Sequence, residues 1–292
     1  MSAWGQVLAS SRPLSWINTA YPFAAAYLLA GGRPDGAAEW WALVLGTLWF
    51  LVPYNLLMYG VNDVFDYESD IRNPRKGGVE GVVLDRGVHR RTIWAAVLSN
   101  LPFVVALVAL GDLASTAVLA VSVFAVVAYS APGLRFKERP FLDSITSSTH
   151  FVSPAVFGLA ISGASLDATS FAALAGFFLW GMGSHAFGAV QDIEADRAGG
   201  IGSVGTVMGA STTTWFALGC YVVAGLLLLT LPWPASLSAL LVLPYVANVA
   251  PYVRLSDAEC ERANAGWRRF LWLNFLSGFL VTQLFLWMTI GW

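Results

Sequence analysis

Charge is what this sequence is short of. Only 12% of its 292 residues are Asp, Glu, Lys or Arg, about half of the roughly 25% that an ordinary soluble domain carries. The shortage excludes a disordered chain, a coiled coil and a nucleic-acid-binding surface, each of which needs dense charge or polarity. Cysteine is scarce too. Cys220 and Cys260 stand far apart without ligand spacing, so both are expected to be free thiols. No basic region precedes the first apolar run, the first basic residue being Arg12, so no cleavable signal peptide is expected. What is present instead is apolar: 57% of residues are hydrophobic and the mean hydropathy is +0.64. That is the composition of a membrane protein.

A bilayer core takes about 20 mainly apolar residues per helix. Such runs occur near 14–31, 40–60, 93–110, 114–131, 141–162, 168–190, 213–231, 235–253 and 270–290. The expected architecture is all-α, with nine transmembrane helices in one domain over 1–292. Basic residues divide unequally between the two sides: Arg33 stands alone on one, against fifteen of the sixteen on the other. By the positive-inside rule the N-terminus and four long loops face the cytoplasm and the C-terminus lies outside. For a bacterial chain this means a multi-pass protein of the inner membrane. Trp40, Trp41, Trp94, Trp215, Trp233 and Trp292 fall at span ends, as interfacial belts do.

Carboxylates near hydrocarbon are costly and need a reason. The second span runs into Asn62-Asp63-Val64-Phe65-Asp66-Tyr67-Glu68-Ser69-Asp70. If the helix continues, Asp63, Asp66 and Asp70 share one face, with Asn55, Tyr59 and Asn62 on or near the same stripe. Stacked carboxylates repel unless a cation intervenes. Mg2+, a hard ion that takes one or two carboxylates plus phosphate oxygens, suits them. A second cluster closes the sixth span, with Asp192 and Asp196 one turn apart just after Gln191. Both clusters emerge on the cytoplasmic side, where they would flank a diphosphate. Between them in sequence lies a basic loop with Arg135, Lys137 and Arg139, suited to phosphate oxygens or to anchoring topology. Arg72, Arg75 and Lys76 offer the same chemistry, and glycines 77, 78 and 81 would let their loop close over the site.

These residues resemble the UbiA superfamily of intramembrane prenyltransferases, in which Asn-Asp-x-x-Asp-x-x-x-Asp follows the second of nine helices and Asp-x-x-x-Asp the sixth. Asn62, Asp63, Asp66 and Asp70 match the first motif, and Asp192 and Asp196 the second. The resemblance implies a bundle around a central cavity, with those five aspartates as the metal-holding, catalytic set. It implies a diphosphate subsite from Asn62, Arg72, Lys76, Tyr129, Arg135, Lys137 and Arg139. Cavity walls are expected from Asn18, Asn55, Tyr59, His150, His185 and Gln191. One departure is plain: many members carry Tyr-x-x-x-Lys, whereas four residues after Tyr129 stands Gly133. Within the superfamily the stretches 11–23, 62–81 and 129–150 look most like the lycopene elongases of carotenoid-producing actinobacteria. That implies dimethylallyl diphosphate as donor and lycopene or a similar linear carotenoid, dissolved in the bilayer, as acceptor. An aromatic, quinone or tetrapyrrole acceptor and a longer polyprenyl donor are the alternatives. A transporter is disfavoured, because its polar residues would lie near the midplane. His150 and His185 are expected as helix-packing histidines and His89 as a solvated loop residue, which leaves no base assigned.

Overall fold

The computed structural model describes residues 1–71 and 82–290, and every regular element in them is helical. Unpaired backbone has no partner in hydrocarbon, so a chain this apolar must satisfy its own amides within helices. The helices are α1 (Ala3–Ser10), α2 (Ile17–Gly31), α3 (Ala37–Leu51), α4 (Val61–Phe65), α5 (Tyr67–Asp70), α6 (Arg86–Leu110), α7 (Leu113–Ser130) and α8 (Leu142–Ile161). They continue as α9 (Ala168–Val190), α10 (Ile193–Gly199), α11 (Val204–Met208), α12 (Ala210–Leu229), α13 (Val242–Val249) and α14 (Asn264–Ile290). Among the described residues, seven helical runs are long and apolar enough to cross a membrane. The chain is a multi-pass membrane protein. Helices α2 and α8 coincide with the first and fifth expected spans but do not meet that measure. The former has 15 residues, and the latter dilutes its apolar run with Ser144, Thr146, Ser147, Ser148, Thr149, His150 and Ser153.

Two compact units result: Met1–Arg135 with His150–Ser165, and Phe136–Thr149 with Leu166–Trp292. In the first unit, Phe23, Trp49, Phe50, Tyr54 and Phe157 are fully buried together, Phe23 lying 5.3 Å from Phe50 and 5.8 Å from Phe157 between ring centroids. Gly46 makes room for Phe23, since a Cβ there would collide with the ring.

The second expected span is not one regular helix. Pro53 cannot donate an amide hydrogen and interrupts the ladder after α3; a short helical turn (Pro53–Asn55) follows, and then a π-helical segment, Leu56–Gly60. Two buried asparagines repair the break. Asn55 donates to the Phe50 carbonyl at 2.7 Å and Asn100 to the Pro53 carbonyl at 2.7 Å. Because a π turn inserts a residue, everything beyond it is rotated by about 100° from an unbroken helix. The first acidic motif begins immediately after this insertion.

In the second unit, α9 and α12 pack closely over small residues. A Cβ on Gly183 would stand 2.9 Å from the Ala217 carbonyl and 3.0 Å from the Cys220 Cβ. Close approach through glycine is the usual way membrane helices gain dispersion contact. Around them Tyr221, Tyr245 and Phe270 are buried, with Trp180 edge-on to Tyr245 at 5.7 Å.

Candidate active site

The first motif is built by α4 and α5. The α-helix ends at Phe65, Asp66 turns with φ −96° and ψ 2°, and Tyr67–Asp70 form a separate helical turn. The three aspartates therefore do not ride one continuous helix. Tyr67 and Glu68 are held from α6: Arg86 bonds Glu68 at 2.5 Å and stacks 5.0 Å over Tyr67, with His89 edge-on at 4.9 Å. His89 is thus a half-buried helical residue bonded to the Leu84 carbonyl at 3.2 Å, which corrects its expected place in a solvated loop.

Asp63 and Asp66 each meet a guanidinium. Arg12 reaches Asp63 at 3.3 Å, the carboxylate side chain being fully buried, and its guanidinium lies 4.2 Å over the Tyr59 ring. Arg135 stands 3.6 Å from Asp66, both partly exposed. Both arginines have left-handed backbone, φ 51° at Arg12 and φ 41° at Arg135. Residues other than glycine rarely adopt it, and such strain persists only where the surroundings fix it. Of the described non-glycine residues only Phe141 shares it. Asn62 accepts a hydrogen bond from Ser130 at 2.8 Å, bringing the end of α7 onto the motif. Of the other expected residues in this unit, Tyr129 packs edge-on to His150 at 5.0 Å, Asn55 is spent on backbone repair, and Asn18 is exposed.

The second motif is more regular. Asp192 is the N-cap residue of α10, and the Asp196 amide donates to the Asp192 carbonyl at 2.8 Å. Ser203 reaches the Asp196 carboxylate at 3.5 Å. Gly202 lets the basic segment lie alongside, because a Cβ there would come 2.7 Å from the Glu138 carbonyl. Lys137 and Arg139 flank that contact. Gln191 is buried, donating to Gly188 at 3.1 Å and accepting from Asn264 at 2.6 Å. Arg197, next to Asp196 in sequence, bonds Asp257 at 2.6 Å, and Asp257 in turn accepts the Ala210 amide at the start of α12.

The roles of Asp143 in this half and of Arg12 in the first unit went unseen in the sequence. Asp143 is completely buried, and accepts the Ser144 amide and the Val204 amide at the start of α11, each at 2.7 Å. Ser144 in turn meets His185 Nδ1 at 3.1 Å. A lone acid within a Ser/Thr-rich span was the available signal. For Arg12 the signal was a lone cation directly before Pro13, ahead of the first span. The side chain of Asp70, and all of Arg72, Arg75, Lys76 and the glycine loop to residue 81, lie outside the described residues.

The UbiA prenyltransferase family model matches residues 19–287. The chain belongs to this family. Prenyl transfer is accordingly its class of reaction. A lycopene elongase/hydratase of Corynebacterium glutamicum is 52% identical over 278 residues, 95% of each chain. The C(50) beta-cyclic carotenoids biosynthesis protein LbtBC of Dietzia sp. is 58% identical over 284 residues, 97% of this chain, which spans only 65% of that protein's length. A UbiA homolog from Archaeoglobus fulgidus, solved bound to DMAPP and Mg2+, superposes with a TM-score of 0.64 at 18% identity, over 93% of this chain and 98% of that one. At that identity the superposition speaks for the UbiA fold alone.

Proposed function

We propose that this UbiA protein transfers dimethylallyl units from dimethylallyl diphosphate to the ends of lycopene, at the cytoplasmic side of the inner membrane. The observation that carries the reading is the 52% identity, over nearly the whole of both chains, to a protein named lycopene elongase/hydratase. The paired motif aspartates beside arginines support it, being the equipment for a polyanionic leaving group.

The donor set suits a hard divalent cation. It consists of carboxylate oxygens, two in each motif for the described side chains, and no group of three or more His, Cys, Asp or Glu residues gathers among the described residues. A pair per motif fits Mg2+, which completes its shell with phosphate oxygens and water. Asp63, Asp66 and Asp70 in the first motif, and Asp192 and Asp196 in the second, would each hold such an ion, whose chemistry is to polarise the diphosphate. Arg135, Lys137 and Arg139, with Asn62, Tyr129, Arg72 and Lys76, take up the charge that grows on the leaving group as the allylic carbon–oxygen bond breaks. Arg12, 3.3 Å away, holds the Asp63 carboxylate in place. The terminal double bond of lycopene attacks the allylic cation, leaving a tertiary cation that loses a proton or captures water. A linear hydrocarbon already in the bilayer enters sideways between helices and needs no polar recognition.

Expression in a lycopene-producing bacterium with no other carotenoid enzymes, followed by mass analysis of pigments, tests this. Products heavier by one or two five-carbon units are expected, and none from 4-hydroxybenzoate or naphthoate. Prenylation of an aromatic acid with lycopene untouched would overturn the acceptor and leave the family.

A further inference from the structure

A cleft of about 400 Å³ opens between α1 and the start of α6, lined by Trp4, Gly87, Arg90, Arg91, Trp94 and Leu98 and by none of the motif aspartates. Its two walls are fixed to each other. Gln6 is buried and exchanges two hydrogen bonds with Asp85, its amide donating to the carboxylate at 2.6 Å and its carbonyl accepting the backbone amide at 3.0 Å.

The charges in this cleft differ from most of those elsewhere in the unit. Arg12, Arg86 and Arg135 all have carboxylate partners. Arg90 and Arg91 are exposed and have none among the described residues. Two uncompensated guanidiniums one residue apart, with no side chain at Gly87 beneath them, leave space and charge for a phosphate. The tryptophans bracket that position from two separate elements, Trp4 68% and Trp94 53% exposed. Indole rings with one polar edge belong at headgroup level.

Below Trp94 the same face of α6 continues as Leu98, Leu101, Val105 and Val108, all exposed, at spacings of three and four residues. From Trp94 to Val105 is 11 residues of helix, about 16 Å at 1.5 Å per residue. Half of a bilayer core is about 15 Å. The apolar stripe therefore runs the depth of one leaflet from a doubly cationic, tryptophan-flanked end.

We propose that this cleft is a binding site for one anionic phospholipid, the headgroup phosphate on Arg90 and Arg91 and one acyl chain along Leu98, Leu101 and Val105. The proposal is independent of the donor and the acceptor. A soluble phosphate is a poor occupant, because it would use the cations and leave the stripe bare. A zwitterionic lipid is a poor one too, because its own cation opposes two arginines.

Native mass spectrometry of the protein released from nanodiscs containing equal phosphatidylglycerol and phosphatidylcholine reads the result. Wild type should retain one phosphatidylglycerol preferentially. Arg90→Gln with Arg91→Gln should reduce that retention roughly twenty-five-fold, since each cation near an anionic surface contributes about fivefold. Arg90→Lys with Arg91→Lys should keep most of it. Trp4→Ala, on the other wall, should reduce it less and provides the test if the double glutamine variant does not fold. Equal retention of the two lipids by wild type, unchanged retention in both the glutamine and Trp4 variants, or displacement by millimolar inorganic phosphate would each overturn the proposal.

Discussion

The two acidic motifs arrive at similar chemistry by opposite routes. The second is assembled locally: Asp192 and Asp196 sit one turn apart at the start of a short regular helix, and Ser203, seven residues on, reaches the same carboxylate. The first depends on distant parts of the chain. A π-helical insertion turns it, Arg12 and Arg135 reach it from 51 and 69 residues away, and both pay in backbone strain to do so. Local assembly needs little of the rest of the fold, whereas the first motif exists only when its unit is packed. Substitutions around the first motif should therefore disturb stability and catalysis together, and those around the second catalysis alone.

The largest effect is expected where the motifs are equivalent. Asp66→Asn and Asp192→Asn each remove a hard oxygen ligand without changing shape, and turnover should fall by at least on the order of a thousandfold. Both variants should remain folded and membrane-inserted. Near-normal activity of both with Mg2+ supplied would sink the two-motif model.

Arg12 and Arg135 separate the two roles within the first motif. Arg12→Gln removes a cation from the fully buried Asp63 carboxylate, a kind of loss that costs about 3 kcal/mol, so thermal stability in detergent should drop along with activity. Arg135→Gln touches a partly exposed pair, which contributes at most about 1 kcal/mol to stability. Its effect should be on the donor, with KM for dimethylallyl diphosphate rising roughly tenfold. Identical melting curves for both variants would remove the distinction between a positioning and a phosphate-binding arginine.

What the sequence made legible follows the same division. The run 168–190 coincides with α9, and the i, i+4 spacing of Asp192 and Asp196 survives because both lie in the single helical turn that opens α10, although α9 itself stops at Val190. The expected continuous face of Asp63, Asp66 and Asp70 failed because the helix ends at Phe65 and turns at Asp66, and the stripe reaching back to Asn55 failed because Pro53 and the π segment alter the register; hydropathy records none of these. The third span was expected from 93, yet α6 begins at Arg86, since basic first turns hide a helix from an apolar count. Arg12 counted only toward topology, and Asp143 was given no role. Their partners are tertiary, and periodicity holds no information about those.

Asp143 tests whether the second unit is as locally made as its motif. Its carboxylate ties the start of α8 to the start of α11, the segment carrying Ser203. Asp143→Asn keeps one acceptor and loses the other, leaving a buried amide short of a partner at about 1–3 kcal/mol. A lowered melting temperature with donor KM within about twofold of wild type is the expected outcome. A large rise in KM instead would mean that the second motif, too, depends on long-range support.

The smallest expected effect is acid sensitivity at two exposed caps, one in each unit. Asp112 accepts the Ser115 amide at 2.8 Å and Asp167 the Ser170 amide at 2.7 Å, and these backbone bonds hold both carboxyls below their ordinary range. A carboxyl depressed on folding stabilises the fold above its unfolded pKa and loses that contribution as pH falls through the folded one. Both caps should therefore be intact at neutral pH and fade only below about pH 4. Acid should weaken these two caps to a similar, slight extent. Melting curves of Asp112→Asn and Asp167→Asn should each show a slightly shallower loss of stability between neutral pH and pH 3 than wild type. If Asp112→Asn alone changed the acid response, the first unit would be limited by its helix ends, and the strained arginines would not be what makes it the more dependent half.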